Sequence, residues 1–194
     1  MPVDTAHRPL HHYDYATYLA HESFSNVKHE YLDGEIYAMA GGTLEHAALA
    51  VNVSTALNLA LRGRPCIVAS SDLKVRIQAT TLCTYPDVTV ICGSPERDSD
   101  ATGEVVLNPT LLVEVTSKSS EEWDRGEKRE HYQQIPSLRE YIVVSHRAQR
   151  LERFYRDADG AWQHAVAGPG EQLSLDTLDC SLATDDVYRN VDVS

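Results

Sequence analysis

Two apolar runs each carry one carboxylate in an apolar setting. The first is Tyr85-Pro-Asp-Val-Thr-Val-Ile-Cys92, with Asp87, and the second is Asn108-Pro-Thr-Leu-Leu-Val-Glu-Val-Thr116, with Glu114. Runs that are apolar on both faces belong in the middle of a sheet, where an ionised carboxylate is costly unless a cation or hydrogen-bond donors compensate it. Two such residues point to a divalent metal held by Asp87 and Glu114, with Mg²⁺ or Mn²⁺ as the hard ions that oxygen ligands select. Such a centre is a standard device for phosphodiester hydrolysis, and a nearby lysine would add positive charge for the transition state. Thr116 stands where that lysine would most directly follow Glu114. Lys128 is then the first candidate, sharing a helical face with Asp124 and Tyr132, and Lys118 in the intervening polar turn is the second.

The elements that must position these groups read in order. A loose arm covers residues 1–12, and residues 13–194 form one domain. Asp14 is placed to cap a short helix through Leu19 and Glu22, and Asp33-Gly34 joins two extended runs, Lys28–Leu32 and Glu35–Ala40, as a hairpin. Thr43 is an N-cap for a helix from Leu44 to about Arg62, stopped by Gly63, with His46 at the start of the stripe His46, Ala50, Val53, Leu57, Leu61. Further strands follow at 66–69 and 73–78. The Asp87 and Glu114 strands then lie side by side, a charged helix spans Glu121–Gln134, and another strand covers Glu140–Ser145. A C-terminal hairpin joins 151–155 to 161–165. The pattern is an α/β (α+β) chain with helices available to cover a sheet.

Plainer roles exist for each residue. Asp87 after Pro86 also suits a turn, and Lys128 also suits a solvated charge run paired with Asp124. His46 also suits a hydrogen-bonded core position, and Glu30 stands across the hairpin turn from Glu35 as its alternative.

Seventeen Lys and Arg against 29 Asp and Glu give a formal charge of -12, so no global field draws the chain to nucleic acid or an anionic membrane. Cys66, Cys83, Cys92 and Cys180 show no CxxC pair, and free buried thiols fit a reducing compartment. With no apolar leader or membrane-length run, the expected location is cytoplasmic.

Tyr85-Pro-Asp-Val-Thr-Val, the 108–115 run, Asp124-Arg-Gly-Glu-Lys-Arg-Glu-His-Tyr132 and Ile135-Pro-Ser-Leu-Arg-Glu-Tyr141 resemble the Uma family of restriction endonucleases, within the PD-(D/E)XK nuclease superfamily. Asp33-Gly-Glu35, Gly41-Gly-Thr-Leu-Glu-His46 and Ser71-Asp-Leu-Lys-Val-Arg76 extend the resemblance over most of the chain. It implies a restriction-endonuclease-like core, a central mixed sheet flanked by helices, with the N- and C-terminal hairpins added. Asp87 and Glu114 would be the motif acids, Lys128 the displaced motif lysine, and Glu35 and His46 further site residues. The implied activity is Mg²⁺-dependent (or Mn²⁺-dependent) endonuclease action on nucleic acid, DNA foremost, by a homodimer. The alternative is a nuclease fold that has lost catalysis and binds nucleic acid or a protein partner, to which Thr116 and the acidic charge both speak.

Overall fold

The computed structural model describes residues 12–101 and 103–193, so the expected arm lies, His12 apart, outside the described residues. Asp14 accepts the Thr17 N–H at 2.7 Å and starts α1 (Tyr15–Phe24). β1 (His29–Leu32) and β2 (Glu35–Ala38) pair antiparallel, and Asp33 and Gly34, at φ 48° and 89°, form a turn that needs positive φ at both centres. Thr43 caps α2 (Leu44–Ala60) as expected, and β3 (Cys66–Ser70), β4 (Lys74–Arg76) and β5 (Cys83–Thr84) follow. Then come β6 (Val88–Cys92), β7 (Val105–Val106), β8 (Leu111–Val115), α3 (Glu121–Arg125), α4 (Glu127–Tyr132) and β9 (Glu140–Val144). The chain ends with β10 (Leu151–Arg156), β11 (Trp162–Ala167), β12 (Gln172–Leu175), β13 (Cys180–Ala183) and α5 (Thr184–Val187).

The central six-stranded sheet runs β11-β10-β9-β8-β6-β3, mixed because β8 and β9 are parallel while its other pairs are antiparallel. Side chains alternate along β8, so its two faces enter different cores. Leu111, Val113 and Val115 pack with Leu49, Val53 and Leu57 of α2, whose buried stripe runs through Leu49 as well as the expected Val53, Leu57 and Leu61. Leu112 faces the other way, with Tyr132, Ile135, Leu138, Tyr141 and Val143. Each such apolar side chain contributes about 1.5–3 kcal/mol on burial. A second sheet, β2-β1-β5-β4-β7, places the N-terminal hairpin beside this core, and β12-β13 forms a small third one.

Two expectations are corrected. The charged helix expected over 121–134 is two short helices, because Gly126 leaves helical geometry at φ -103°, ψ -110°. A Cβ there would stand 2.8 Å from the Glu122 carbonyl oxygen, so only glycine fits this break. The thiols also differ from the expectation, since Cys66 and Cys92 are disulfide-bonded and only Cys83 and Cys180 are free. Cys66 and Cys92 lie 26 residues apart, and the antiparallel register of β3 and β6 sets them directly opposite. No helix among the described residues is long and apolar enough to cross a membrane.

Candidate metal and catalytic site

Antiparallel pairing of β6 with β8 sets Val88 opposite Val113, and one further step along this register brings Asp87 opposite Glu114. Asp87 lies just before β6, and its Oδ2 accepts the Val115 N–H at 2.8 Å, which ties its carboxylate to β8. Glu114 shares a face with Leu112, as the alternation requires, and is 4% exposed. Its Oε1 accepts the Tyr132 hydroxyl at 2.5 Å and lies 2.9 Å from Lys128 Nζ.

Asp124, Lys128 and Tyr132 point to the sheet from α3 and α4, so the spacing of four survives the Gly126 break. Lys128 Nζ also lies 2.9 Å from Glu30 Oε1 and 3.8 Å from Asp124 Oδ1. Thr84 donates a hydrogen bond to the same Glu30 oxygen. One buried ammonium thus serves three carboxyl groups, with Asp87 close by.

The charge is unevenly shared among them. Burial opposes the charge on Lys128, yet Glu114, Glu30 and Asp124 together raise its pKa well above the usual lysine value. Burial likewise opposes ionisation of Glu30, but Lys128 and Thr84 outweigh it and hold this carboxyl below its ordinary range. For Glu114 burial wins over Lys128, and with the Asp87 and Asp124 charges adding to it the pKa is pushed up to about 8. Asp124 is raised by burial in the same sense. Glu30 is therefore the carboxyl most favoured to ionise beside Lys128, and Glu114 the one most favoured to keep a proton. Since Oε1 of Glu114 is occupied by Tyr132 and Lys128, Oε2 remains for that proton or for a metal.

His46 stands in the first turn of α2, where Thr43 Oγ1 accepts its N–H at 3.3 Å, and its Nε2 lies 3.3 Å from Asp87 Oδ2. That contact raises its pKa above the usual value against the opposing effect of burial. Asp87, Glu114, Lys128, Glu30 and His46 all line one open cleft of about 1480 Å³, whose rim carries Lys28 and Lys118. Asp87 Oδ1 and Glu114 Oε2 accept no hydrogen bond among the described residues. Two opposed carboxyl groups with spare oxygens, in an open cleft with more acid than base, suit a hard divalent cation.

A family model described as "Putative restriction endonuclease", Uma2, matches residues 15–185. The chain belongs to the Uma2 family. Two uncharacterised Synechocystis sp. (strain ATCC 27184 / PCC 6803 / Kazusa) proteins are also similar to it. One, slr1290, is 37% identical over 174 residues, covering 90% of each chain, and the other, sll1609, is 33% identical over 147, covering 76% of this chain and 82% of its own. A crystal structure of "a putative nuclease belonging to DUF820" from Anabaena variabilis ATCC 29413 has the same fold, with a TM-score of 0.69 at 14% identity, covering 84% of this chain and 91% of that one.

In this Uma2-family chain the structure brings four of the five sequence-derived site residues together: Asp87, Glu114, Lys128 and His46. It does not bring Glu35 to the cluster. Glu35 pairs opposite Leu32 at the turn end of the hairpin and accepts the Tyr37 hydroxyl, whereas Glu30, opposite Tyr37, meets Lys128. Thr116 is fully buried and locks the β8–β9 end, with its Oγ1 2.8 Å from His146 Nδ1 and accepting the His146 N–H at 3.1 Å. Lys118 is exposed on the cleft rim and Lys128 is buried within it. Tyr132 and Asp124 were legible as face-mates of Lys128, but their direct contacts with the cluster were not.

Gly42 leaves room for His46. A Cβ at Gly42 would lie 2.8 Å from His46 Nδ1, while the backbone there is ordinary for any residue. Gly42→Ala is expected to displace the imidazole from Asp87 and lower the activity of the site several-fold, with stability changed by less than about 1 kcal/mol. Paired activity and urea-unfolding measurements on the variant check this.

Proposed function

We propose that this chain is a metal-dependent endonuclease that hydrolyses nucleic-acid phosphodiester bonds, with DNA as the foremost substrate. The observation that carries the reading is the excess of acid around Lys128: Glu30, Glu114 and Asp124 share one ammonium, and Asp87 stands beside them. Membership in a family described as "Putative restriction endonuclease" supports the same reaction class.

Asp87 and Glu114 are the residues that would hold Mg²⁺ or Mn²⁺, and no structural zinc pattern competes at this position. A bound divalent ion supplies Lewis-acid activation of water and neutralises phosphate charge. The chain's own groups do the rest. Lys128 is fixed by Glu30, which keeps one positive charge in place beside Glu114 without reorganisation during reaction. Tyr132 orients the Glu114 carboxyl so that one oxygen faces the cleft. His46, with its pKa raised beside Asp87, holds a proton at Nε2 or Nδ1 for a phosphate oxygen or leaving group.

With a net charge of -12, contacts to the phosphate backbone fall to a few rim groups such as Lys28 and Lys118, and a homodimer would double them. The Lys128 charge is engaged by carboxylates, which also favours a second reading, a nuclease fold that binds without cutting. One assay separates the two. Purified protein is expected to cut plasmid DNA in Mg²⁺ or Mn²⁺, to stop in a chelator, and to lose cutting in Asp87→Ala. Binding of DNA without any cleavage of DNA or RNA in either metal would leave only the second reading.

A further inference from the structure

A second cluster of ligand-type side chains lies outside the nuclease cleft, between α1 and β1. His21 and Glu22 come from the C-terminal half of α1 and His29 from the first position of β1. One ligand atom from each residue can be chosen so that all three lie within 4.8 Å of one another, and among the described residues this is the one His, Cys, Asp and Glu group that meets that condition. Glu22 Oε2 is 2.9 Å from His29 Nδ1, and the two imidazole rings stand edge to face with centroids 4.7 Å apart.

The carboxylate is built in rather than adventitious. Its side chain is 5% exposed, and its other oxygen accepts the Tyr85 hydroxyl at 2.6 Å and the His29 backbone N–H at 3.0 Å. Both donors fix its orientation from outside, as supporting groups do around a metal ligand. Among the described residues its basic partner is the His29 imidazole, which leaves this buried carboxylate with no lysine or arginine beside it. His21, by contrast, is exposed, and both histidines line an open cavity of about 310 Å³ that leaves room for water on an ion.

We propose that His21, Glu22 and His29 form a transition-metal site that takes Zn²⁺ or a similar borderline ion and staples α1 to β1. Two imidazole nitrogens and one carboxylate oxygen form a donor set that zinc accepts with water in the fourth position. Magnesium prefers oxygen alone, so the two sites of this chain differ in ion. The staple also reaches the cleft. His29 directly precedes Glu30, and Tyr85, held by Glu22, lies two residues before Asp87. Ion binding would therefore stiffen both arms that carry the nuclease acids, although the site does not depend on the nuclease reading.

The test is calorimetric titration of tag-free, chelator-stripped full-length protein with Zn²⁺, with Co²⁺ absorption as a probe of the ligands. This site is expected to bind one equivalent with the same affinity in wild type and in Glu114→Gln, any second equivalent in wild type belonging to the nuclease acids, and His21→Ala, which removes an exposed ring and spares the core, to bind there at least tenfold more weakly. In the Glu114→Gln background Zn²⁺ should raise the melting temperature, and adding His21→Ala should remove that rise. No Zn²⁺ uptake by wild type, unchanged affinity in both His21→Ala and His29→Gln, or loss of uptake in Glu114→Gln would each overturn the site.

Discussion

Lys128→Met is expected to lower DNA cleavage by about 10²–10³-fold, the effect of removing one preorganised charge or donor from a reaction centre. It is also expected to destabilise the protein by about 3–5 kcal/mol, because deleting one member of a buried ion cluster leaves the others without compensation. Here the member left charged is Glu30, 2.9 Å from the ammonium, while Glu114 at 2.9 Å and Asp124 at 3.8 Å, both with raised pKa values, can take up a proton instead. Methionine fills the space of the lysine stem, so most of this loss is electrostatic rather than a cavity. Urea unfolding at pH 7 reads it, and the loss should shrink as acid protonates Glu30, whose carboxyl Lys128 holds below its ordinary range against the effect of burial. Added Mg²⁺ should restore part of the stability and little of the activity. Lys118→Met is the control, since an exposed rim lysine should leave stability within about 0.5 kcal/mol.

Glu114→Gln should remove metal-dependent activity and change the response of stability to pH. Losing even an outer partner of a metal ligand costs about 10–100-fold in affinity, so replacing a ligand itself should cost at least that. In the native protein the Glu114 pKa is raised to about 8, primarily by burial, above its ordinary value of 4.5. A carboxyl raised on folding keeps its proton where the unfolded chain gives it up. Its contribution is fully present below about pH 4.5 and is lost as pH rises toward about 8. Metal-free wild type should therefore lose stability relative to Glu114→Gln across that window. Stabilisation by Mg²⁺ should grow over the same range, because the ion takes the ionised form. Parallel curves for the two proteins would show that Glu114 does not titrate there.

The parts of this arrangement legible from sequence are those fixed by short-range periodicity. Alternation along β8 puts Leu112 and Glu114 on one face and Val113 and Val115 on the other, and the structure places Leu112 in one core and Val113 and Val115 in the other. Spacing of four put Asp124, Lys128 and Tyr132 on one side, and all three are buried against the sheet. Thr43 and Asp14 cap their helices as their side chains predict.

What the sequence left open depends on contacts between distant elements. Glu30 and Glu35 lie on the same face of one hairpin, and only the packing of β1 beside α4 selects Glu30 as the partner of Lys128. The Cys66–Cys92 bond follows from the register of β3 with β6, which a spacing of 26 residues does not reveal. The break at Gly126 was hidden in a run whose charge pattern reads as one helix, although a glycine inside such a run is itself a signal. His21 and Glu22 were read only as parts of a short helix, and the approach of His29 across the turn makes them a cluster.

The most direct test of the nuclease site is anomalous diffraction from crystals soaked in Mn²⁺. The expected result is a manganese peak within bonding distance of both Asp87 and Glu114, with Lys128 still paired to Glu30. Full-occupancy soaks with no peak between these two carboxylates, or with manganese only at His21, Glu22 and His29, would contradict it.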